Sequence, residues 1–202
     1  FGYGQLGMSH HATEDLSIMR SIPNLNTYVP YDDPSTIIVT ERILGSKKPN
    51  YLRLERGSQV LSGIASQTHY NGIISTVKAD SDITIFTIGG ISIVALELLE
   101  KLSEIGIHAT INLVQSFQDL DKHYLNEVLK KTNTVICVEE NIKEGGLGSW
   151  LLENASKIGT NISLLHFGIE GFISVVGDQE YLRKYCLLDA DSIFEKIKET
   201  YL

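Results

Sequence analysis

Gly7-Met8-Ser9-His10-His11-Ala12-Thr13-Glu14-Asp15 concentrates more chemistry than any other stretch of this chain. Two adjacent imidazoles precede a helical segment, and a carboxylate follows each at four-residue spacing, His10 with Glu14 and His11 with Asp15. Such pairs could ligate a metal ion. Two other readings compete. The stretch could be a polar loop with a capped helix, its carboxylates facing the positive end of the helix dipole. Alternatively, an imidazole at a helix start could reach into a cleft and meet a substrate. Tyr51-Leu52-Arg53-Leu54-Glu55-Arg56-Gly57 offers a second chemistry. Ligands of parallel sheets sit at strand carboxyl ends, and a guanidinium there holds a phosphate bidentately. A surface ion pair with Glu55 or a neighbour accounts for Arg53 and Arg56 equally well. Gly145-Gly146-Leu147-Gly148-Ser149 has the look of a phosphate cradle, yet it lacks the spacing and lysine of a P-loop and does not match G-x-G-x-x-G. A tight turn with close helix packing is the simpler account. His108 and His166 lie on apolar runs and read as satisfied core or edge residues, whereas His69 and His123 read as exposed.

The elements that must position these groups fall into two regions. Thr13 is a candidate N-cap for a helix from Glu14 to Ser21, stopped by Pro23. Asn26 to Val29 and Tyr51 to Leu54 read as strands, with a helix from Pro34 to Leu44 between them. Two strands and two helices are too little for an independent domain. Gly57 to Val77 is polar and weakly periodic and reads as a linker whose last part (Ile73, Ile74, Val77) joins a sheet edge. Beyond it, strand and helix alternate. The β-branched run Ile83 to Ile88 ends in Gly89-Gly90, and Ile91 to Ile105 is amphipathic, stopped by Gly106. His108 to Val114, Thr134 to Val138 and Ile162 to Leu165 are further strands. Asp119 to Lys131, Ser149 to Ile158, Gln179 to Cys186 and Asp191 to Tyr201 are helical. This alternation predicts an α/β fold with a largely parallel sheet covered on both faces. The boundaries read as 1–57, a linker over 58–77, and a complete α/β domain over 78–202.

Composition narrows the function. The chain has 202 residues, 43% hydrophobic and 21% charged, enough for a real core and incompatible with intrinsic disorder. Lys+Arg 17 against Asp+Glu 25 gives a net charge of −8, which excludes a nucleic-acid footprint. No apolar run is long enough to span a membrane. Cys137 and Cys186 read as reduced thiols of a cytoplasmic protein. The chain opens Phe1-Gly2-Tyr3-Gly4 without an initiator Met or targeting segment, and so reads as a fragment or as a piece cut from a longer chain.

Taken together, Gly7 to Leu16, Met19-Arg20-Ser21-Ile22-Pro23-Asn24, Val29-Pro30-Tyr31-Asp32 and Tyr51 to Gly57 resemble the later part of the pyrimidine-binding domain of the thiamine-diphosphate-dependent transketolase family. Ile83 to Gly90, Val138-Glu139-Glu140-Asn141 and Gly145 to Ser149 resemble that family's C-terminal domain. The order is kept over nearly the whole chain; its glycine, histidine, arginine and proline string is most similar to transketolases and 1-deoxyxylulose-5-phosphate synthases, and Ser9-His10-His11 to transketolases encoded as two half-chains. The resemblance implies a partial pyrimidine-binding domain followed by a complete C-terminal domain. The implied activity is transfer of a two-carbon ketol unit between sugars or sugar phosphates, with thiamine diphosphate and Mg2+ as cofactors. It also implies roles: His10 as the active-site histidine meeting substrate oxygens, His11 beside it in substrate binding, Arg56 as the grip on the sugar phosphate, and no metal ligand among them. The family's acidic residue before the histidine is replaced by Leu6 and Gly7. The glutamate that protonates the aminopyrimidine and the pyrophosphate and Mg2+ site would lie on missing parts, leaving this segment inactive alone. The implied partners are a pyrophosphate-binding N-terminal half or subunit, in a homodimer or heterotetramer, and a small sugar phosphate or 2-oxo acid; no nucleic acid or membrane is implied. Competing readings are the β subunit of a 2-oxo acid dehydrogenase, disfavoured by Ser9-His10-His11 and Arg56, and a non-catalytic assembly module.

Overall fold

A computed structural model of the chain describes residues 1–56, 61, 67–70, 73–76 and 83–201. Two sheets are present. The smaller pairs β1 (Asn26–Tyr28) in parallel with β2 (Asn50–Leu52), and α2 (Asp33–Leu44) connects them. α2 starts there because Asp32 is extended and accepts the Ser35 N–H at 2.9 Å, while Ser35 Oγ accepts the Asp32 N–H at 2.9 Å. Pro34 occupies the first turn, where its missing N–H costs nothing. α1 (Asp15–Met19) is shorter than the expected Glu14 to Ser21, and Thr13 does not cap it. Thr13 is buried instead, and its carbonyl accepts the Ile142 N–H at 2.8 Å. A tertiary bond has displaced the local cap.

The larger sheet contains β3 (Gln67–Tyr70), β4 (Ile73–Thr76), β5 (Ile83–Ile88), β6 (Ala109–Val114), β7 (Thr134–Ile142) and β8 (Ser163–Ile169), in the order β3-β4-β6-β5-β7-β8. β6, β5, β7 and β8 are parallel, and β3 and β4 form an antiparallel hairpin against β6. Both hairpin strands lie within the stretch read as linker. Ile73 and Ile74 pair with Val114 and Leu113, whereas Val77 lies outside the described residues.

Helices α3 (Ser92–Glu104), α4 (Lys122–Lys131), α5 (Leu147–Lys157), α6 (Gln179–Tyr185) and α7 (Ala190–Tyr201) complete this layered unit. Strand residues alternate between two cores, as the pleat requires. Ile83, Ile85, Ile136 and Val138 pack with Leu98, Leu102, Leu182 and Ile193. Phe86, Ile88, Val135 and Cys137 pack with Leu125, Leu129, Leu147 and Leu151. Leu16 and Val29 enter the second core and Phe1 and Tyr31 the first, so the initial residues are built into the larger unit. Each such buried side chain contributes about 1.5–3 kcal/mol of hydrophobic stabilisation.

Several boundaries differ from expectation for identifiable reasons. α4 begins at Lys122 rather than Asp119, because Asp121 accepts the Tyr124 N–H at 3.0 Å and Ser116 Oγ takes the Asp119 N–H at 3.0 Å. β7 continues four residues past Val138, since Glu139, Glu140 and Asn141 are buried. His108 is exposed and precedes β6, so it is neither a core nor a strand residue. Among the described residues no helix is long and apolar enough to cross a membrane.

Candidate functional site

Residues 1–11 form a loop that is pinned at several points. A single 3-10 turn (Gly4–Leu6) leads to Gly7, whose φ of 73° lies in the left-handed region that glycine tolerates. A Cβ on Gly4 would collide with Leu182 and the Gly177 carbonyl, so only glycine lets the loop lie against that stretch. His10 follows, exposed to solvent, with Nδ1 2.9 Å from Ser9 Oγ. Its Nε2 has no hydrogen-bond partner among the described residues. His11 is half-buried. Its Nε2 lies 3.2 Å from the Val175 carbonyl, an acceptor only, so the ring proton sits on Nε2. The His11 ring also meets the Phe1 ring edge-on at 5.3 Å, and its buried Nδ1 has no hydrogen-bond partner among the described residues.

The two arginines read together from the sequence are separated by the fold. Arg53, just past β2, is buried: Nη1 is 3.3 Å from Asp15 Oδ1, Nη2 donates to the Glu140 carbonyl at 3.0 Å, and Glu55 lies at 3.7 Å. Burial opposes its charge, but Glu55, Asp15 and Glu140 outweigh that and raise its pKa. Arg53 is therefore committed to internal pairing and does not face a ligand. Arg56 is exposed, stacked over the Tyr3 ring at 4.9 Å, with no ion pair or hydrogen bond among the described residues. It borders a cavity of about 170 Å³ beyond the carboxyl ends of β1 and β2, shared with Tyr31, Asp32, Glu55, Gly90 and Gln179. The fold thus places Arg56 against Tyr3 and His11 against Phe1, on either side of the same initial segment.

The metal reading of the His11–Asp15 pair fails here. Asp15 accepts from Tyr51 Oη at 2.7 Å and pairs with Arg53, while His11 is taken by Val175. Burial first, then the Asp15 bond, pushes the Tyr51 hydroxyl up to about 12, so it stays a donor. Arg20 is also structural. It donates to the Gly145 carbonyl through Nε and pairs with Glu153 through both Nη atoms, at 3.0 and 2.5 Å.

The glycine-rich turn is filled by the protein's own carboxylate. Glu139 Oε2 accepts the Leu147 N–H at 2.7 Å and Oε1 accepts the Gly148 N–H at 3.0 Å, so the start of α5 already holds an anion. A Cβ on Gly146 would strike Glu139, and one on Gly148 would strike the His166 ring. The glycines are there for close approach, as the steric reading expects. His166 Nε2 completes this arrangement 2.6 Å from Glu139 Oε1.

The next residue, Glu140, turns to other partners and joins the two regions. Its Oε2 accepts from Arg183 Nε at 2.7 Å, Gln179 Nε2 lies 3.4 Å from Oε1, and the Phe1 main-chain nitrogen contacts Oε1. Burial alone would raise its pKa, but the Arg183 and Arg53 guanidinium groups oppose this and hold the carboxyl below the usual range. Sequence reasoning assigned neither glutamate a partner. The only signal was the juxtaposition of two carboxylates with a buried strand end.

Residues 72–193 match the transketolase C-terminal domain, and residues 1–59 match the transketolase pyrimidine-binding domain. One subunit of the apulose-4-phosphate transketolase of Actinobacillus succinogenes is 29% identical over 196 residues, covering 96% of this chain and 62% of that protein. The 1-deoxy-D-xylulose-5-phosphate synthase of Mannheimia succiniciproducens is 29% identical over 196 residues, 96% of this chain and 31% of its own length. A split-gene transketolase, solved as an inactive β4 tetramer, superposes with a TM-score of 0.81 at 26% identity, covering 95% of this chain and 62% of that one. The chain thus spans less than two thirds of these relatives. The order of its two matched regions and the parallel sheet agree with one assignment: this chain belongs to the transketolase family, with part of the pyrimidine-binding domain followed by the C-terminal domain.

Proposed function

We propose that the chain supplies the substrate-facing side of a thiamine-diphosphate-dependent transketolase-type transferase, which moves a two-carbon ketol unit between sugars or sugar phosphates. The observation that carries this reading is a pair of exposed polar groups without partners among the described residues, His10 Nε2 in the loop of residues 1–11 and the Arg56 guanidinium over Tyr3 of that loop. Neighbouring polar groups (Asp15, Arg53, Glu140) are consumed by internal bonds.

Thiamine diphosphate, when bound, supplies the carbanion chemistry that cleaves and forms the carbon–carbon bond. The described residues do not fit its diphosphate or Mg2+: the carboxylates of Asp15 and Glu140 are tied to Arg53, Tyr51 and Arg183 of this chain. We assign those sites to the remaining length of the protein or to a partner subunit, and take this segment to be inactive alone. His10 holds or moves a proton at Nε2 while Ser9 Oγ fixes the ring through Nδ1. Arg56 offers its N–H edge to a phosphate, with the guanidinium face supported by Tyr3. Leu6, Met8, Ile18, Ile37, Leu44 and Leu54 are all more than half exposed, an apolar surface suited to burial against the missing part or a second subunit. The sugar-phosphate relatives and the split-gene relatives support both the substrate class and a multi-subunit enzyme.

In the complete enzyme, His10→Ala is expected to lower kcat by a factor on the order of 10²–10⁴, as for lost acid–base catalysis. Turnover equal to wild type would remove the role given to His10.

A further inference from the structure

A second group of donor side chains lies on β7 and β8, apart from the surface just described. Cys137 and Glu139 are two residues apart on β7 and so project to the same face. His166 stands directly opposite Cys137 in the parallel register of β8. Cys137 Sγ, a Glu139 carboxylate oxygen and a His166 ring nitrogen all lie within 4.8 Å of one another. The sulfur is 3.9 Å from Glu139 Oε1, and His166 Nε2 is 2.6 Å from the same oxygen.

These are the donors that four-coordinate zinc takes, with bonds of about 2.0–2.3 Å, which at tetrahedral angles set donors roughly 3.3–3.7 Å apart. The sulfur–oxygen pair needs to close by a few tenths of an ångström, and the nitrogen–oxygen pair to open somewhat more. Charge balance favours the ion. One thiolate and one carboxylate neutralise a dication, which matters because Cys137 and Glu139 are fully buried and net charge there is costly. The Leu147 and Gly148 N–H groups already orient the carboxylate, as outer partners of metal ligands do. His166 is 15% exposed and lines a cavity of about 800 Å³ along β8, so the histidine side of the cluster is the one open to an entering ion.

We propose that Cys137, Glu139 and His166 form a binding site for a borderline-soft divalent cation, with Zn2+ the ion best matched to the donors. Binding forms the metal–sulfur bond and releases the Cys137 thiol proton to solvent, and the ring proton that His166 shares with Glu139 moves to Nδ1. The loaded site would staple the edge strand β8 to β7 and to the start of α5. This inference is independent of the transferase reading.

The test is a titration of the full-length, reduced, chelator-treated protein with Co2+, a spectroscopic stand-in for Zn2+. Expected is one cobalt per chain, with a thiolate-to-cobalt charge-transfer band in the near ultraviolet and the intense visible bands of a tetrahedral site. The charge-transfer band is expected to vanish in Cys137→Ser and to persist in Cys186→Ser, whose thiol lines the same cavity. His166→Gln, at an edge position that tolerates change, is expected to weaken cobalt binding at least tenfold. The proposal is overturned by absence of the band in the wild type at one equivalent, by its dependence on Cys186, or by wild-type affinity in His166→Gln. The wild-type, Cys186→Ser and His166→Gln results decide the matter even where Cys137→Ser does not fold.

Discussion

The loop around His10 and the junction between β7 and α5 make an instructive pair. Both are rich in glycine and titratable groups, and from sequence either could bind an anion or a metal. At the β7–α5 junction every conspicuous group of the turn is already satisfied: Glu139 by two helix N–H groups and His166, Glu140 by Arg183 and Gln179. At the His10 loop the partners are fewer, and among the described residues His10 Nε2 and the Arg56 guanidinium have no hydrogen-bond partner. A buried polar group has to be paired within the fold, whereas a group kept for a substrate has to be left with bonding capacity. The difference between spent and unspent hydrogen bonds marks the His10 loop, rather than the β7–α5 turn, as the surface with capacity left for a substrate.

That contrast can be broken by mutation. The largest expected effect is at Glu140. Removing its carboxylate with Glu140→Ala leaves Arg183 buried without its anion, and loss of one partner of a buried ion pair costs about 3–5 kcal/mol. Chemical denaturation of the full-length protein measures this, and a loss near zero would mean the network does not join the two regions. A pH signature accompanies it. Because the folded-state pKa of Glu140 is depressed, its contribution is complete above the unfolded value, near 4.3, and is lost as pH falls toward the folded value. Wild-type stability is expected to fall below about pH 4, and Glu140→Gln is expected to flatten that part of the profile. An unchanged acid limb would show that the carboxylate titrates normally.

At Glu139, substitution by alanine strands the Leu147 and Gly148 N–H groups, and each such unsatisfied buried group costs about 1–3 kcal/mol. Gly148→Ala forces a methyl into the His166 ring and is expected to cost about 1–3 kcal/mol. A neutral Gly148→Ala would show that the turn is looser than the steric account requires. Asp32→Ala, which removes the α2 cap, is expected to cost about 1 kcal/mol, the smallest of these effects, visible as a shift in the denaturation midpoint without a change of slope.

The same contrast explains how much could be read in advance. Ile83 to Ile88 was legible to the residue, because a buried parallel strand is a continuous apolar run. The start of α2 was nearly so, because its cap and its proline are local signals. The polar end of β7 was not: Glu139-Glu140-Asn141 resembles a loop until Arg183, 43 residues further on, and the start of α5 are known to meet it. Thr13 misled for the same reason, its carbonyl being taken by Ile142 from another element. In the candidate site, the spacing of His10 and His11 drew attention to the loop that holds His10 at the surface. What it could not distinguish was Arg53, buried among carboxylates, from Arg56, left at the surface, although the two lie three residues apart on one strand end.

The most direct measurement of the central claim is a comparison of KM for phosphorylated and free sugars in the complete enzyme carrying Arg56→Ala. The account predicts that KM for phosphorylated sugars rises at least tenfold while KM for free sugars changes little, since only the phosphate loses a partner. Equal changes for both substrates, or none, would contradict the assignment of this surface to the substrate.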